Sequence, residues 1–237
     1  MKKRVLLSGG TGFVGYWMCK TQPVTITAKY LDHRLYDWDD WRDHHWDYWD
    51  YYVHLAPIKP TALLQHARTS KVLFASSGAV YEGVNAYANN KRLWEAECIN
   101  SSYSYVVIAR LFAFVGEHLK NLYAVTKFIE AARKGKPIEV WGDGTTVRSY
   151  LYGEDLGRWM WKILLDGEGT YDVGSAIPYT ILDLACIVSE LTGAPLKFIS
   201  SEQPSVYLPD ITRAYDLGCR ETVGLREAIE RMLNEGI

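Results

Sequence analysis

The feature that most constrains this chain lies at its start. A short apolar run, Arg4 to Ser8, passes straight into Gly9-Gly10-Thr11-Gly12-Phe13-Val14-Gly15, and Phe13 to Lys20 continues with helical spacing. Glycines spaced Gly9-x-x-Gly12-x-x-Gly15 between a strand and a helix suit a turn that bends sharply. They let backbone N–H groups approach a pyrophosphate, and they let the helix pack closely on the strand. The structural alternative is that the same glycines make a tight turn and nothing more. A strand entering a helix this way opens a βαβ unit, so strands and helices should alternate around a parallel sheet.

The rest of the chain follows that expectation. Val24 to Ala28, Tyr51 to Leu55, Lys71 to Ala75 and Tyr105 to Phe112 read as strands rich in β-branched and aromatic residues. Pro60 to Arg68 and Tyr87 to Cys98 read as the helices between them. Beyond Gly116 the alternation loosens. Helices are expected over Leu122–Arg133, Asp155–Leu165, Ile181–Leu191 and Leu225–Leu233, with short strands at Ile138–Trp141 and Thr170–Val173. The fold class is therefore α/β, with one lobe interleaved with another.

Charge and composition remove several functions. Twenty-six basic against 28 acidic side chains leave a net charge of -2, without the basic excess of a general polyanion binder. Hydrophobic residues at 48% and charged ones at 23% fit a globular chain long enough to bury a substantial core. The four cysteines, Cys19, Cys98, Cys186 and Cys219, are far apart and form no C-x-x-C pair, so a reducing cytoplasm is expected and neither a zinc site nor a disulfide framework. Lys2, Lys3 and Arg4 precede an apolar run as in a secretory signal, but the glycines break it at once. No apolar run approaches the ~18 residues of a spanning helix, and no membrane or nucleic-acid partner is expected. Tyr36 to Tyr52 holds eight aromatics and six aspartates. An aromatic platform for a base or sugar is one reading; rings packed on the sheet with aspartates in water is the preferred one. His44 and His45 are adjacent and point to different faces of a helix, which disfavours a metal site there.

A second motif carries chemistry. In Tyr87-Ala88-Asn89-Asn90-Lys91 the four-residue spacing puts a phenol and an ammonium on one helix face, a turn apart. A free phenol, with a pKa near 10, is a poor base at neutral pH, and a cation alongside favours its phenolate. By itself the pair is weak, since both residue types are common on solvated faces. Ser76-Ser77 at a strand end some ten residues upstream strengthens it, because a hydroxyl there can orient a reacting oxygen toward the phenol.

With GGTGFVG, SSGAVYE, YANNK, RLFAFVG, GDGTTVRSYLYGEDL and YDVGS in this order, the sequence from Lys3 to about Leu191 resembles the extended short-chain dehydrogenase/reductases, the NAD-dependent epimerase/dehydratase family. The resemblance implies a Rossmann-type doubly wound parallel sheet with a small C-terminal α/β substrate lobe. The dinucleotide domain falls on 1–115 plus about 150–175, and the lobe on about 116–149 plus 176–237. It implies NAD or NADP held by Gly9, Gly12, Phe13, Val14, Gly15, Lys29, Leu55, Ala56, Tyr87 and Lys91. It makes Ser77, Tyr87 and Lys91 the catalytic set. The implied substrate is a nucleotide-diphosphate sugar, touched by Ser77, gripped at its diphosphate by Arg148 and stacked at its base by Trp141. A hydrophobic plug in the small lobe is an equal alternative for Trp141. A homodimer through the Tyr87–Cys98 helix and the shortened Pro60–Arg68 helix is a further implication.

The departures from the family pattern matter as much. Relatives are longer, and the missing residues lie mainly between Gly15 and Ser76. The second strand is read as ending Thr27-Ala28-Lys29 with Arg34 close behind, which leans toward a 2′-phosphate and NADP; Asp32 or Asp37 serves NAD if the register differs. Ala113-Phe114 replaces the usual asparagine-proline, which removes one polar contact to the sugar nucleotide. Gly78-Ala79 follows the catalytic hydroxyl where a 4,6-dehydratase carries an acid and a base, so elimination of water is disfavoured. What remains is hydride chemistry, as an epimerase or as a 4-keto-sugar reductase. The alternative from another class is an NAD(P)-binding regulator or a degenerate paralogue without turnover.

Overall fold

The computed structural model describes residues 2–31, 49–57, 59–66, 71–83, 85–101, 105–120, 123–199 and 204–235. In chain order the elements are β1 (Lys3–Ser8), α1 (Phe13–Lys20), β2 (Ile26–Leu31), β3 (Tyr51–His54), α2 (Thr61–His66), β4 (Lys71–Ser77), α3 (Ala79–Glu82), α4 (Ala86–Ile99) and β5 (Tyr105–Leu111). There follow β6 (Phe114–Val115), α5 (Ala124–Arg133), β7 (Ile138–Trp141), β8 (Val147–Ser149), β9 (Leu151–Tyr152), α6 (Gly153–Asp166) and β10 (Gly169–Val173). The last elements are β11 (Pro178–Thr180), α7 (Ile181–Thr192), β12 (Leu196–Ile199), β13 (Val206–Tyr207), α8 (Thr212–Asp216) and α9 (Leu225–Glu235).

The chain divides into two compact units, each built from separated stretches: Met1–Leu111, Leu156–Val173 and Ile211–Arg220 in the first, the remainder in the second. In this division Ile211–Arg220 goes with the first unit. Trp159 Nε1 donates to the Arg220 carbonyl at 2.9 Å and its ring meets Tyr215 edge-on at 6.0 Å, which holds that segment in place.

The first unit is a six-stranded sheet in the order β10-β5-β4-β3-β1-β2, with every pairing parallel. Its central strands read as continuous apolar runs because both faces are covered: Val5, Leu6, Leu7, Val53, Leu73, Phe74 and Ile108 are buried. Leu64 of α2 and Cys98 of α4 pack with Phe74 and Ile108. The indole of Trp161 on α6 reaches α1, donating to the Met18 carbonyl at 2.8 Å. The order makes β2 and β3 neighbours of β1 on opposite sides, a topological switch point, and in such sheets ligands bind outside the carboxyl ends of the strands there.

The second strand differs from the sequence reading. Strand β2 runs over Ile26–Leu31 rather than ending at Lys29, which pairs inside the strand with Leu6. Of the aromatic-rich stretch, only Trp49 to Tyr52 lies within the described residues. There Tyr52 is buried, Trp49 packs on the cluster of Leu6, Tyr52, Leu63 and Val72, and the Asp50 carboxylate accepts from the Arg4 amide at 2.7 Å. His44 and His45 lie outside the described residues.

The second unit is assembled from short ladders: β11-β8-β13, the parallel pair β12-β7 and the parallel pair β6-β9. Helix α7 starts with a reciprocal cap in which Thr180 and Asp183 satisfy each other's backbone amides, and ends at Gly193 in the left-handed region. Asp155, fully buried, accepts from the Thr222 amide at 2.8 Å, the Thr222 hydroxyl at 2.6 Å and the Val223 amide at 3.1 Å. That carboxylate fixes the approach to α9. Among the described residues no helix is long and apolar enough to cross a membrane.

Candidate active site

In the first unit the glycine turn leaves β1 at the switch point. Gly9 has φ +76, and a Cβ added to it would lie 3.1 Å from the Ala56 amide nitrogen. A Cβ at Gly15 would lie 2.5 Å from the Gly9 carbonyl oxygen and 2.6 Å from the Gly10 Cα. Neither position admits a side chain without moving backbone. The turn closes through Gly12 N–H to the Gly9 carbonyl at 3.1 Å, and α1 then starts on Gly12 with no side-chain cap and no acid in its first turn. Leading amides of a helix that no side chain caps suit a pyrophosphate, so the cradle fits a dinucleotide. Phe13 and Val14 occupy the first helical turn. Leu55 and Ala56, from the end of β3, lie against Gly9, and the Leu55 amide donates to the Ser8 carbonyl at 3.2 Å.

Lys29 does not join them. Strand β2 continues two residues past it, and Lys29 is exposed along the strand rather than at its carboxyl end. Its assignment to a 2′-phosphate therefore loses its basis, and Asp32, Arg34 and Asp37 lie outside the described residues.

A buried pair under the turn escaped the sequence reading. The Ser8 hydroxyl lies 3.0 Å from His54 Nδ1, and the His54 ring stacks on Phe74 at 5.9 Å. The two residues are 46 apart in sequence and become neighbours only because β1 pairs with β3.

Ser77 ends β4, where its hydroxyl accepts from the Ala79 amide at 3.2 Å and starts α3. Helix α4 is capped by Asn85, whose side chain accepts from the Ala88 amide at 2.9 Å. Arg92 fastens α4 to α3 by donating to the Val80 carbonyl at 2.8 Å and to the Gly83 carbonyl. On this helix Tyr87 and Lys91 lie one turn apart, with the Lys91 Nζ 5.9 Å from the Tyr87 ring centroid. Their exposures differ sharply: Tyr87 is 51% exposed and Lys91 only 4%. The Lys91 ammonium donates to the Ala75 carbonyl at 2.8 Å and lies 5.1 Å from the Phe74 ring and 5.3 Å from Trp94. Burial pushes its pKa down from 10.5 to about 8, against the raising field of Glu95.

In the second unit Trp141 and Arg148 line one cavity of about 770 Å³, together with Phe128, Ile181, Lys127 and Lys197. Trp141 is 56% exposed, which rules out the hydrophobic plug. Arg148 is held by donation to the Ser205 hydroxyl at 2.9 Å and the Ser205 carbonyl at 3.1 Å, and it sits over the Tyr207 ring at 5.6 Å. Phe114, one of the two residues standing where the sequence pattern expects asparagine-proline, packs on Tyr123 at 5.8 Å.

In the first unit a glycine turn at the switch point, a hydroxyl at the end of β4 and a helical Tyr-Lys pair are all carried by one parallel sheet and its helices. Residues 42–174, more than half of the chain, match the sequence model of the NAD dependent epimerase/dehydratase family, and the chain belongs to that family. It is 31% identical over 139 residues to UDP-glucuronic acid decarboxylase 4 of Arabidopsis thaliana, a match covering 55% of this chain and 31% of that protein. The chain thus spans about a third of the length of the curated relatives it matches first. In fold it is similar to the UDP-glucuronic acid 4-epimerase of Bacillus cereus in complex with NAD, with TM-score 0.78, 19% identity and 96% of each chain covered. It is also similar to RMD of Pseudomonas aeruginosa complexed with NADPH, with TM-score 0.82, 21% identity and 98% of each chain covered.

Proposed function

We propose that this protein is an NAD(P)-dependent hydride-transfer enzyme acting on a nucleotide-diphosphate sugar, as an epimerase or a 4-keto-sugar reductase, with Ser77, Tyr87 and Lys91 as its catalytic residues. The observation that carries this reading is the Tyr87–Lys91 pair on α4, an accessible phenol one turn from a buried ammonium, in a unit whose β1 ends in a dinucleotide cradle.

When bound, the nicotinamide supplies the hydride acceptor and donor. Tyr87 as phenolate takes the proton from the sugar hydroxyl being oxidised, or as phenol returns it to the ketone oxygen being reduced. Ser77 holds that same oxygen by a hydrogen bond. Lys91 supplies positive charge beside the phenol, and its Ala75 bond fixes where that charge sits. An epimerase runs the proton transfer in both directions around one keto intermediate and re-reduces it from the other face; a reductase runs it once. Gly78 and Ala79 offer no acid or base next to Ser77, which speaks against elimination of water.

The cavity beside Trp141 and Arg148 supports a nucleotide-diphosphate ligand. An exposed indole offers a stacking face for a base, and a guanidinium with neighbouring lysines offers donors to phosphate oxygens. The names of the relatives, several of them acting on UDP-glucuronic acid, make UDP-glucuronic acid and UDP-glucose the first substrates to try.

The test begins with the purified protein: release whatever nucleotide it carries, identify it by mass, then assay both UDP-sugars. Near-stoichiometric retained NAD(H), with product differing from substrate only at one carbinol centre, identifies an epimerase. An empty site that prefers NADPH and consumes it with a keto sugar identifies a reductase. No affinity for either dinucleotide sinks the proposal.

A further inference from the structure

We propose that Glu95 and Arg110 are positioning residues of this reaction: the Arg110 fork holds the Glu95 carboxylate one helical turn beyond Lys91, and its remaining branch holds Tyr81, so one side chain of β5 locks the Tyr87–Lys91 helix and the helix after Ser77 to the sheet.

The geometry is specific. Arg110 Nε donates to Glu95 Oε1 at 3.0 Å and Nη2 to Glu95 Oε2 at 2.6 Å, the paired arrangement that suits a guanidinium on a carboxylate. Nη1 donates to the Tyr81 hydroxyl at 2.6 Å, and that hydroxyl donates in turn to Asp172 Oδ1 at 3.0 Å. The guanidinium also lies over the Tyr81 ring at 4.8 Å. Arg110 of β5 thus joins α4 through Glu95 and α3 through Tyr81, and the Tyr81 hydroxyl carries the network on to Asp172 of β10. Glu95 is 5% exposed, and a buried carboxylate is tolerated only when paired. Lys91 makes its own bond to Ala75, so Glu95 acts on it through space.

The pair sets the charge around Lys91 as well as its place. Among the described residues, Tyr87, Glu95 and Cys98 on its own helix surround that ammonium; Arg110 on β5 reaches it through Glu95, and His54 on β3 stacks on the Phe74 ring that Lys91 also meets. Glu95 favours the charged form of Lys91 while burial disfavours it. Arg110 tempers Glu95, so removing either partner should act on Lys91 with opposite sign.

That opposition gives the test, which rests on the proposed function only in its turnover arm. The full chain is labelled with carbon-13 at the lysine Cε, the Lys91 signal is assigned by its loss in Lys91→Arg, and its titration is followed by NMR. Glu95→Gln should lower the Lys91 midpoint by about a unit, and Arg110→Met should raise it. Shifts of the same sign in both, or none in either, would mean mere loosening and overturn the proposal. Should Arg110→Met not fold, the double variant Glu95→Leu/Arg110→Met removes both charges together and leaves no buried orphan. It should keep the melting temperature within a few degrees yet lose about tenfold in kcat with KM little changed; parent kcat in this variant overturns the positioning role. A parent that binds no dinucleotide and turns over no sugar nucleotide would sink the proposed function, while the Lys91 titration would still decide the pair.

Discussion

The residues of the first unit expected to carry chemistry and those of the second expected to carry recognition are held on opposite physical terms. Lys91 is buried, bonded to a strand carbonyl and ringed by aromatics, while Trp141 stands 56% exposed among solvated lysines. In the first unit the fold fixes the Lys91 ammonium before any ligand arrives, and charge preorganised in this way favours rate. In the second, shape and charge are offered at a cavity rim, where affinity is adjusted at little cost to the fold. Substitutions in the first region should therefore change turnover or stability, and those in the second chiefly binding.

Tyr87→Phe tests the comparison most severely. The side chain is half exposed, so loss of its hydroxyl should leave the melting temperature within a degree or two, while turnover falls by about 10² to 10⁴-fold, the usual contribution of a positioned acid or base. Steady-state rates beside a thermal melt check both halves. Turnover near the parent's in a folded variant would remove Tyr87 from the chemistry and favour a binding protein without turnover.

Lys91 should show itself next, in the pH dependence of stability. Its folded-state pKa is lowered to about 8 against an unfolded 10.5, so between those values the unfolded chain binds the extra proton. Stability attributable to Lys91 therefore rises with pH across that window, by roughly 3 kcal/mol in all. Below about pH 8 the buried ammonium costs the fold that amount. Denaturant unfolding of parent and Lys91→Met from pH 7 to 10.5 checks it: the stability difference between them should narrow as pH rises. A constant difference would mean that Lys91 is not desolvated as its burial implies.

Among the described residues the second unit buries the carboxylates of Glu117 and Asp155, and Asp155, like Lys91, is tied to the backbone. Asp155→Ala leaves two backbone amides and the Thr222 hydroxyl without their acceptor, and the cost should be about 2–4 kcal/mol. A loss under 1 kcal/mol by denaturant unfolding would mean that water replaces the carboxylate, and that α9 needs no such anchor.

Legibility in the sequence followed the same division. The β1–turn–α1 segment was readable because its signal is local: glycines at fixed spacing are required wherever the backbone leaves no room for a Cβ, as at Gly15, where one would lie 2.5 Å from the Gly9 carbonyl oxygen. Helix α1 has the expected bounds, and the Tyr87–Lys91 spacing lies on a single helix, so its geometry was implicit in the four-residue interval. The Ser8–His54 and Tyr81–Arg110–Glu95 contacts were not readable, because they depend on which strands become neighbours. Strands β8, β11 and β13 are two or three residues long and show no period. The end of β2 was misplaced because Lys29 and Tyr30 interrupt no pattern; pairing with Leu6 and Leu7 of β1, rather than composition, extends that strand.

Trp141→Ala carries the smallest expected effect and sharpens the comparison from the recognition side. Its ring is exposed, so truncation removes little buried apolar surface, and the melting temperature should hold. Stacking of a base on an aromatic face is worth about 1–3 kcal/mol, so the dissociation constant for UDP should rise about tenfold while kcat at saturation changes little. Arg148→Lys keeps the charge but loses the two-pronged donor, and the Ser205 contacts that orient it. The same titration should therefore weaken UDP in Arg148→Lys while uridine, which lacks phosphates, binds as to the parent. Uridine weakened equally would move Arg148 from the diphosphate to the base, and an unchanged UDP affinity in both variants would detach this cavity from the nucleotide altogether.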